Sequence, residues 1–294
     1  MKHLFFCLAG LVLATAAAAG AFSATAGAEQ KHPLNFESLK QRMVKDDTSN
    51  LDARYIQSIF DSPRLEFAAK GISSYFQHRE SKLNYGQFTQ NYSIDKAEKY
   101  MKTYQDTLAR AQEKFGVSGE VIVSILLVET RLGTYTGNQN VLNILATMAA
   151  LEDESIREQF WQALPEENRI SRDLYEKKAE SKARWAYRQL KAYLEYTRNQ
   201  GMDPFSLPGS YAGAIGIAQF MPTNILLLGE DGNQDGRIDM FNHHDAIFSI
   251  ARYLSRYGWE PGISREKAKK VVMYYNRSTY YADTILDIAD KLKG

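Results

Sequence analysis

Eleven consecutive residues, Val121-Ile-Val-Ser-Ile-Leu-Leu-Val-Glu-Thr-Arg131, constrain this chain more than any other stretch. The run has the length and composition of a helix that is apolar on all sides, so it belongs at the centre of a helical core. Its one interior carboxylate, Glu129, lies three residues after Leu126 and four after Ile125, on their face, pointing into the interior or a cleft wall. Burial disfavours the ionised form and raises a carboxyl pKa. A protonated acid held this way can donate to a leaving oxygen, the first requirement for cutting a glycosidic bond. The competing reading is a structural Glu129 paired with Arg131 or another arginine.

The first residues carry a different signal. Lys2 and His3 precede the apolar run Leu4 to Ala19, and small residues lead to Ala26-Gly27-Ala28. This is the layout of a secretory signal peptide cleaved after Ala28, which places the mature protein in the periplasm. Cys7, the single cysteine, lies inside that run and does not read as a lipoprotein cysteine. The mature chain then has no thiol for disulfides, catalysis or metal binding. No later segment is long and apolar enough to be an integral membrane span, so a soluble exported product is expected. Cleavage removes one lysine and no acid, taking 36 basic against 35 acidic residues to 35 against 35. A neutral chain with interspersed charges gives no electrostatic case for nucleic acid as a partner.

Strand-like alternation is scarce, so the fold is expected to be mainly α. Short amphipathic helices are read at Leu34 to Asp46 and Leu51 to Phe67, and a longer one from Ile94 to Phe115 with Ser93 as N-cap. Ser118 offers a start for the Glu129 helix and Gly133 its stop. Further helices are expected at Asn143 to Leu151, Lys178 to Arg198 and Asp245 to Tyr257, with a helical C-terminus from about Lys267. Residues 29–92 would form an N-terminal helical extension and 93–294 the main domain.

Three motifs carry further chemistry. In Gly209-Ser-Tyr-Ala-Gly-Ala-Ile-Gly-Ile-Ala-Gln-Phe-Met-Pro222, small residues permit close approach of a ligand or backbone, and Gln219 supplies an amide donor and acceptor. That suits a cleft wall for sugar hydroxyl and acetamido groups; the alternative is a glycine-rich turn before a helix. Asp231-Gly-Asn-Gln-Asp-Gly-Arg-Ile-Asp239 matches the first nine positions of an EF-hand loop. Asp231, Asn233 and Asp235 supply side-chain oxygens, Arg237 its carbonyl, and Gly236 the sharp turn. Asn242 stands where the twelfth-position glutamate would be, and Asp245 could complete the shell of a calcium ion in the EF-hand-like loop 231–245. A metal-free Asx-rich turn is the alternative. A single loop argues against calcium switching; the ion would pin the loop beside Gln219. Tyr275-Asn-Arg-Ser-Thr-Tyr-Tyr281 concentrates phenols, an amide and hydroxyls before an apolar helix, or else forms a surface turn capped by Asn276 or Ser278.

Together, Val128-Glu-Thr-Arg-Leu-Gly133, the Gly209 to Pro222 block, the Asp231 to Asp245 loop, His244 to Tyr253 and Tyr275-Asn-Arg-Ser278 resemble the membrane-bound lytic transglycosylase B family. The likeness runs in order from about Tyr104 to Leu292. It implies a lysozyme-like helical core that cleaves the β-1,4 bond between N-acetylmuramic acid and N-acetylglucosamine in peptidoglycan. Glu129 matches the family's catalytic acid and base, which yields a 1,6-anhydromuramoyl end. Ser210, Gln219, Tyr275, Asn276 and Tyr281 match cleft positions that hold the sugar. Asp231, Asn233, Asp235, Arg237 and Asp245 match the metal loop. The short Trp259 to Tyr275 interval implies that a small β domain of longer members is absent. The stretch from Leu151 to Ser210 is long, and the Lys178 to Arg198 helix is expected over or beside the cleft. The family's paired arginines after the catalytic helix, which the resemblance implies would meet the stem peptide, reduce here to Arg157 at best. A hydrolytic muramidase would need a second carboxylate to position water, and none is nominated. A catalytically silent peptidoglycan-binding protein would have no need of the buried acid.

Overall fold

A computed structural model describes residues 34–48, 50–68, 84–164, 166 and 169–294. The expected signal peptide lies outside the described residues. The apolar run forms helix α5 (Gly119–Thr130), entered from an extended Ser118, and every residue from Val121 to Thr130 is buried. Three helices described before it in space, α3 (Asn91–Thr103), α10 (His243–Arg256) and α12 (Thr279–Leu292), pack around it. Side chains on all sides of α5 therefore leave water at once, worth on the order of 2 kcal/mol for each large aliphatic residue.

A second buried helix, α6 (Val141–Ala150), follows a two-residue strand β1 (Gln139–Asn140) that pairs antiparallel with β2 (Pro208–Gly209). Asn140 caps α6, its side chain accepting from the Asn143 amide at 3.0 Å. Against α6 lies the longest helix, α8 (Arg172–Asn199), whose Ala183, Ala186, Leu190, Tyr193 and Leu194 join the main core. This helix is a central support, not an addition over a cleft. The helix α9 (Pro222–Leu228) also packs on α8.

Helices α1 (Glu37–Lys45) and α2 (Ala53–Phe60) are shorter than the sequence pattern suggested. Leu39, Met43, Ile56 and Ile59 enter the same core cluster as α5. The expected helix from Ile94 to Phe115 is broken at Tyr104 (φ −108°, ψ 24°) into α3 and α4 (Gln105–Phe115). The break has a tertiary cause, since the Tyr104 ring stacks on His243 with centroids 4.9 Å apart. Ser93 is not the N-cap of α3; Gln90 is, and the Ser93 hydroxyl donates to the Gln87 carbonyl at 2.8 Å. That bond ties α3 to a 3-10 helix at Tyr85–Thr89. Helix α7 (Glu154–Ala163), capped by Asp153, was not anticipated. The chain passes from Trp259 directly to α11 (Arg265–Tyr275), with no strand in between.

Candidate active site

Glu129 occupies the last turn of α5 and is 2% exposed. Arg131, whose pairing would have made Glu129 structural, turns the other way and donates to Gln87 Oε1 at 2.7 Å. Tyr281, in the first turn of α12, places its hydroxyl 2.6 Å from Glu129 Oε1. Ser278 caps α12 by accepting the Tyr281 amide, so the same turn that starts the helix delivers the phenol to the acid. The Tyr85 ring stands edge-on to Tyr281 at 6.4 Å, closing that side.

Directly beyond Glu129 the backbone takes three left-handed residues, Arg131 (φ 49°), Leu132 (φ 61°) and Gly133 (φ 89°). Two non-glycine residues in that region cost about 1–3 kcal/mol each and persist only where neighbours over-determine them. Thr130 does so here. Its hydroxyl donates to the Ile217 carbonyl at 2.8 Å and accepts the Gly133 amide at 2.9 Å.

Ile217 belongs to a tight turn, Gly216 to Gln219, flanked by reciprocal bonds between Ile215 and Phe220. The turn needs positive φ at Gly216 (72°) and Gln219 (48°). A Cβ on Gly216 would stand 2.1 Å from the Met240 carbonyl oxygen, so only glycine fits. The first three carbonyls of the turn each accept a hydrogen bond, that of Ile217 from Thr130 as above. The Ala218 carbonyl accepts from the Tyr275 hydroxyl at 2.5 Å, and the Gly216 carbonyl accepts from Gln219 Nε2 at 2.9 Å. Gln219 Nε2 also donates to the Thr136 carbonyl at 3.0 Å. The structure thus joins Glu129, Tyr281, Tyr275 and Gln219 at the end of α5, with Gln219 and Tyr275 bracing the wall through backbone carbonyls.

Ser210 and Asn276 are placed differently. The Ser210 oxygen accepts from the Ala212 and Ala214 amides at 3.3 and 3.0 Å, which shapes the entry to the turn. Asn276 and Ser278 are both buried between α11 and α12, and the Ser278 amide donates to the Asn276 carbonyl at 2.8 Å. Arg157 is unsuited to meeting a peptide. It is buried, with its guanidinium on Glu176 and on the Leu151 and Glu152 carbonyls.

The Asp231 loop is internally ordered. Asp231 accepts the Asp235 amide at 3.1 Å and the Gly236 amide at 2.7 Å. Asn233 accepts the Asp235 amide and Asp235 the Arg237 amide. Gln234 (φ 63°) and Gly236 (φ 85°) make the turn. The Ile238 amide donates to the side chain of Gln200, the C-cap of α8, at 2.9 Å. Asp245 is fully buried and accepts the Gly232 and Asp239 amides at 2.9 and 2.7 Å, closing the loop across its base. Burial pushes its carboxyl up, against those backbone donors, which pull it down. Among the described residues no three His, Cys, Asp or Glu side chains form a metal-ready group. The donors that gather here are a mix of carboxylate, amide and backbone oxygens. The loop's exit reaches the site directly, as the Ile217 amide donates to the Met240 carbonyl at 2.8 Å.

Thr130, Tyr85 and His243 were not singled out in the sequence. Thr130 could have been, as the hydroxyl next to the acid. His243, whose Nδ1 is 2.8 Å from the Tyr100 hydroxyl, is held below the usual imidazole range by burial and by His244. Its partner is 143 residues away, and no local pattern reveals it. A cavity of about 730 Å³ opens at the other end of α5, beside Ser118, Trp259 and Leu286, and none of the residues above lines it.

The chain is 32% identical over 163 residues to the membrane-bound lytic murein transglycosylase B of Escherichia coli strain K12, a match covering 55% of this chain and 38% of that protein. The chain thus spans well under half the length of that relative. The fold is that of the Escherichia coli lytic transglycosylase Slt35, solved in complex with calcium, with TM-score 0.66 and 21% identity over 88% of this chain and 92% of that one. It also matches SltB3 of Pseudomonas aeruginosa in complex with NAG-anhNAM-pentapeptide, with TM-score 0.69 and 18% identity over 88% and 80% of the two chains. The sequence model of the Transglycosylase SLT domain family matches residues 35–268. On that match, which takes in α5, the Gly216 turn and the Asp231 loop, the chain belongs to the Transglycosylase SLT domain family.

Proposed function

We propose that the protein is a lytic transglycosylase of peptidoglycan, with Glu129 acting first as acid and then as base. The observation that carries this is a buried carboxyl at the end of an apolar helix, contacted by a phenol from a different helix. Glu129 donates its proton to the glycosidic oxygen, the C1–O4 bond breaks, and positive charge develops at C1 of the muramoyl residue. The resulting carboxylate takes the proton from that residue's C6 hydroxyl as O6 bonds to C1. The products are an anhydromuramoyl end and a free 4-hydroxyl, with no water consumed. A single carboxylate suffices because the attacking group is part of the substrate, unlike the paired carboxylates of ordinary glycosidases.

Ser210, Gln219, Tyr275, Asn276 and Tyr281 form the wall that holds the sugar. The sugar's acetamido and hydroxyl groups meet the Gly216–Gln219 turn, and Tyr281 fixes the acid's orientation. Calcium would be held by Asp231, Asn233, Asp235, the Arg237 carbonyl and Asp245. Support comes from the all-oxygen donor set and the ordered loop, together with the calcium complex of Slt35. Such an ion supplies charge that fixes the loop, and through Met240 it steadies Ile217. The site of action is the periplasm, where the substrate is.

Mass spectrometry of digested sacculi tests this. Anhydromuropeptides are expected from the wild type, and Glu129→Gln should lower their release about a thousandfold while strand binding persists. Reducing muropeptides would show a hydrolase instead, and binding without release a silent protein.

A further inference from the structure

The turn that ends α5 is held from a second side. Gly133, the last of the three left-handed residues after Glu129, lies between the Ile217 side chain and the imidazole of His243. A Cβ on Gly133 would stand 3.4 Å from Ile217 Cγ1 and 3.0 Å from His243 Cε1, so the ring rests directly on the backbone of the turn. His243 is half-buried and occupies the first position of α10, where the Asp231 loop ends. Its ring is itself fixed from several directions. Nδ1 is 2.8 Å from the Tyr100 hydroxyl, and the ring face stacks on Tyr104 with centroids 4.9 Å apart. The helix start beneath it is capped by Asn242, which accepts the His244 amide at 2.8 Å. Tyr104 is held in turn by a T-shaped contact with His244 at 5.6 Å, and His244 Nδ1 is 2.7 Å from the Thr107 hydroxyl. Arg131 and Leu132 keep a left-handed backbone that non-glycine residues adopt only where neighbours fix it. Thr130 fixes the turn through its hydroxyl, and His243 fixes it through Gly133.

We propose that His243 is a positioning residue for Glu129, a planar wedge that seats the turn at residues 131–133 and so sets where the acid stands against the glycosidic oxygen. This rests on the reading of Glu129 as the acid. Glu129 is in the last turn of α5, just ahead of that turn, so a turn that slackens shifts the carboxyl and its bond to Tyr281. A displacement of about 1 Å at a reacting group costs on the order of a hundredfold in rate. The plane of the ring supports Gly133, while Nδ1 holds the ring on Tyr100, so the two tasks reside in different atoms.

Two substitutions separate those tasks. His243→Phe keeps a plane on Gly133 and leaves the Tyr100 hydroxyl without its partner, whereas His243→Asn keeps a polar atom for Tyr100 and removes the plane. On soluble glycan strands, His243→Asn should lower kcat about tenfold or more with KM within about twofold of the wild type. His243→Phe should stay within about threefold in kcat although it melts below the wild type. Loss of kcat in step with loss of melting temperature in both variants would make His243 a packing residue only. Wild-type kcat in His243→Asn would likewise overturn the proposal. A second arm needs no turnover. Crystals of His243→Asn should show the backbone at residues 131–133 displaced and the Tyr281 hydroxyl out of hydrogen-bonding reach of Glu129; an unmoved contact overturns the proposal. Release of reducing ends, or of no product, by the wild type would instead strike the proposed activity, so the two failures are told apart.

Discussion

Glu129 sits between two opposed influences. Its apolar surroundings work against the ionised form, while the Tyr281 hydroxyl 2.6 Å away works for it. An acid that must give a proton and then take one back needs neither state to be far out of reach. Tyr281→Phe removes the donor and keeps the ring against Tyr85. The expected result is a loss in kcat of about tenfold, with the basic limb of the rate profile moved to higher pH, because the carboxyl loses the bond that favours its anion. A rate profile that keeps its limbs while kcat falls would make Tyr281 a packing residue only. That the acid could be found in the sequence follows from contrast, a lone carboxylate in an apolar helix. Its phenol could not be paired with it from spacing, because 152 residues separate the two and only the packing of α12 on α5 joins them.

At the scale of elements, local pattern served best where a helix is buried all round or capped by its own residues. Helix α5 and the ends of α10 lie within two residues of where periodicity put them. It failed where distant groups decide the backbone, as at Tyr104, bent against His243, and in α8, whose polar first half hid a core helix. Gln219 and Tyr275 stood out as candidate site residues by composition. That their polar atoms hold backbone carbonyls was not, because it depends on a turn only Gly216 permits. The Asp231 loop gives the element its own experiment. Asp231→Asn keeps one of the two oxygens that accept the Asp235 and Gly236 amides, so both conditions lose the other bond equally, and it removes the charge that would hold calcium. The wild type should melt about 5 °C higher in excess calcium than in chelator, and Asp231→Asn should melt at the same temperature in both. Equal melting of the wild type under the two conditions would remove the metal from the proposal.

Across the whole molecule, α1 packs on α2 and on α6, and α6 packs on α8 and on β1 of the β1 to β2 pair. The chief polar anchor of α1 and α2 is Asp46. Its carboxylate accepts from Lys191 Nζ at 2.8 Å and the Tyr187 hydroxyl at 2.7 Å, both on α8, and from the Thr48 hydroxyl at 2.5 Å. Burial would raise this carboxyl, but Lys191, Thr48 and Tyr187 together hold it well below the ordinary aspartate range. A carboxyl depressed in the folded state stabilises above its unfolded value, and that contribution drains away as pH falls toward the folded value. The side chain is 15% exposed, so solvent screens it only in part, and the contribution at neutral pH is on the order of 2 kcal/mol. Asp46→Asn keeps the shape and loses the charge facing Lys191. In urea unfolding it should be less stable than the wild type by about that amount near pH 7, with the gap narrowing by about half near pH 3. A gap of the same size at both values would mean that Asp46 acts by shape alone, and that the N-terminal helices are held on α8 by their apolar faces without help from charge.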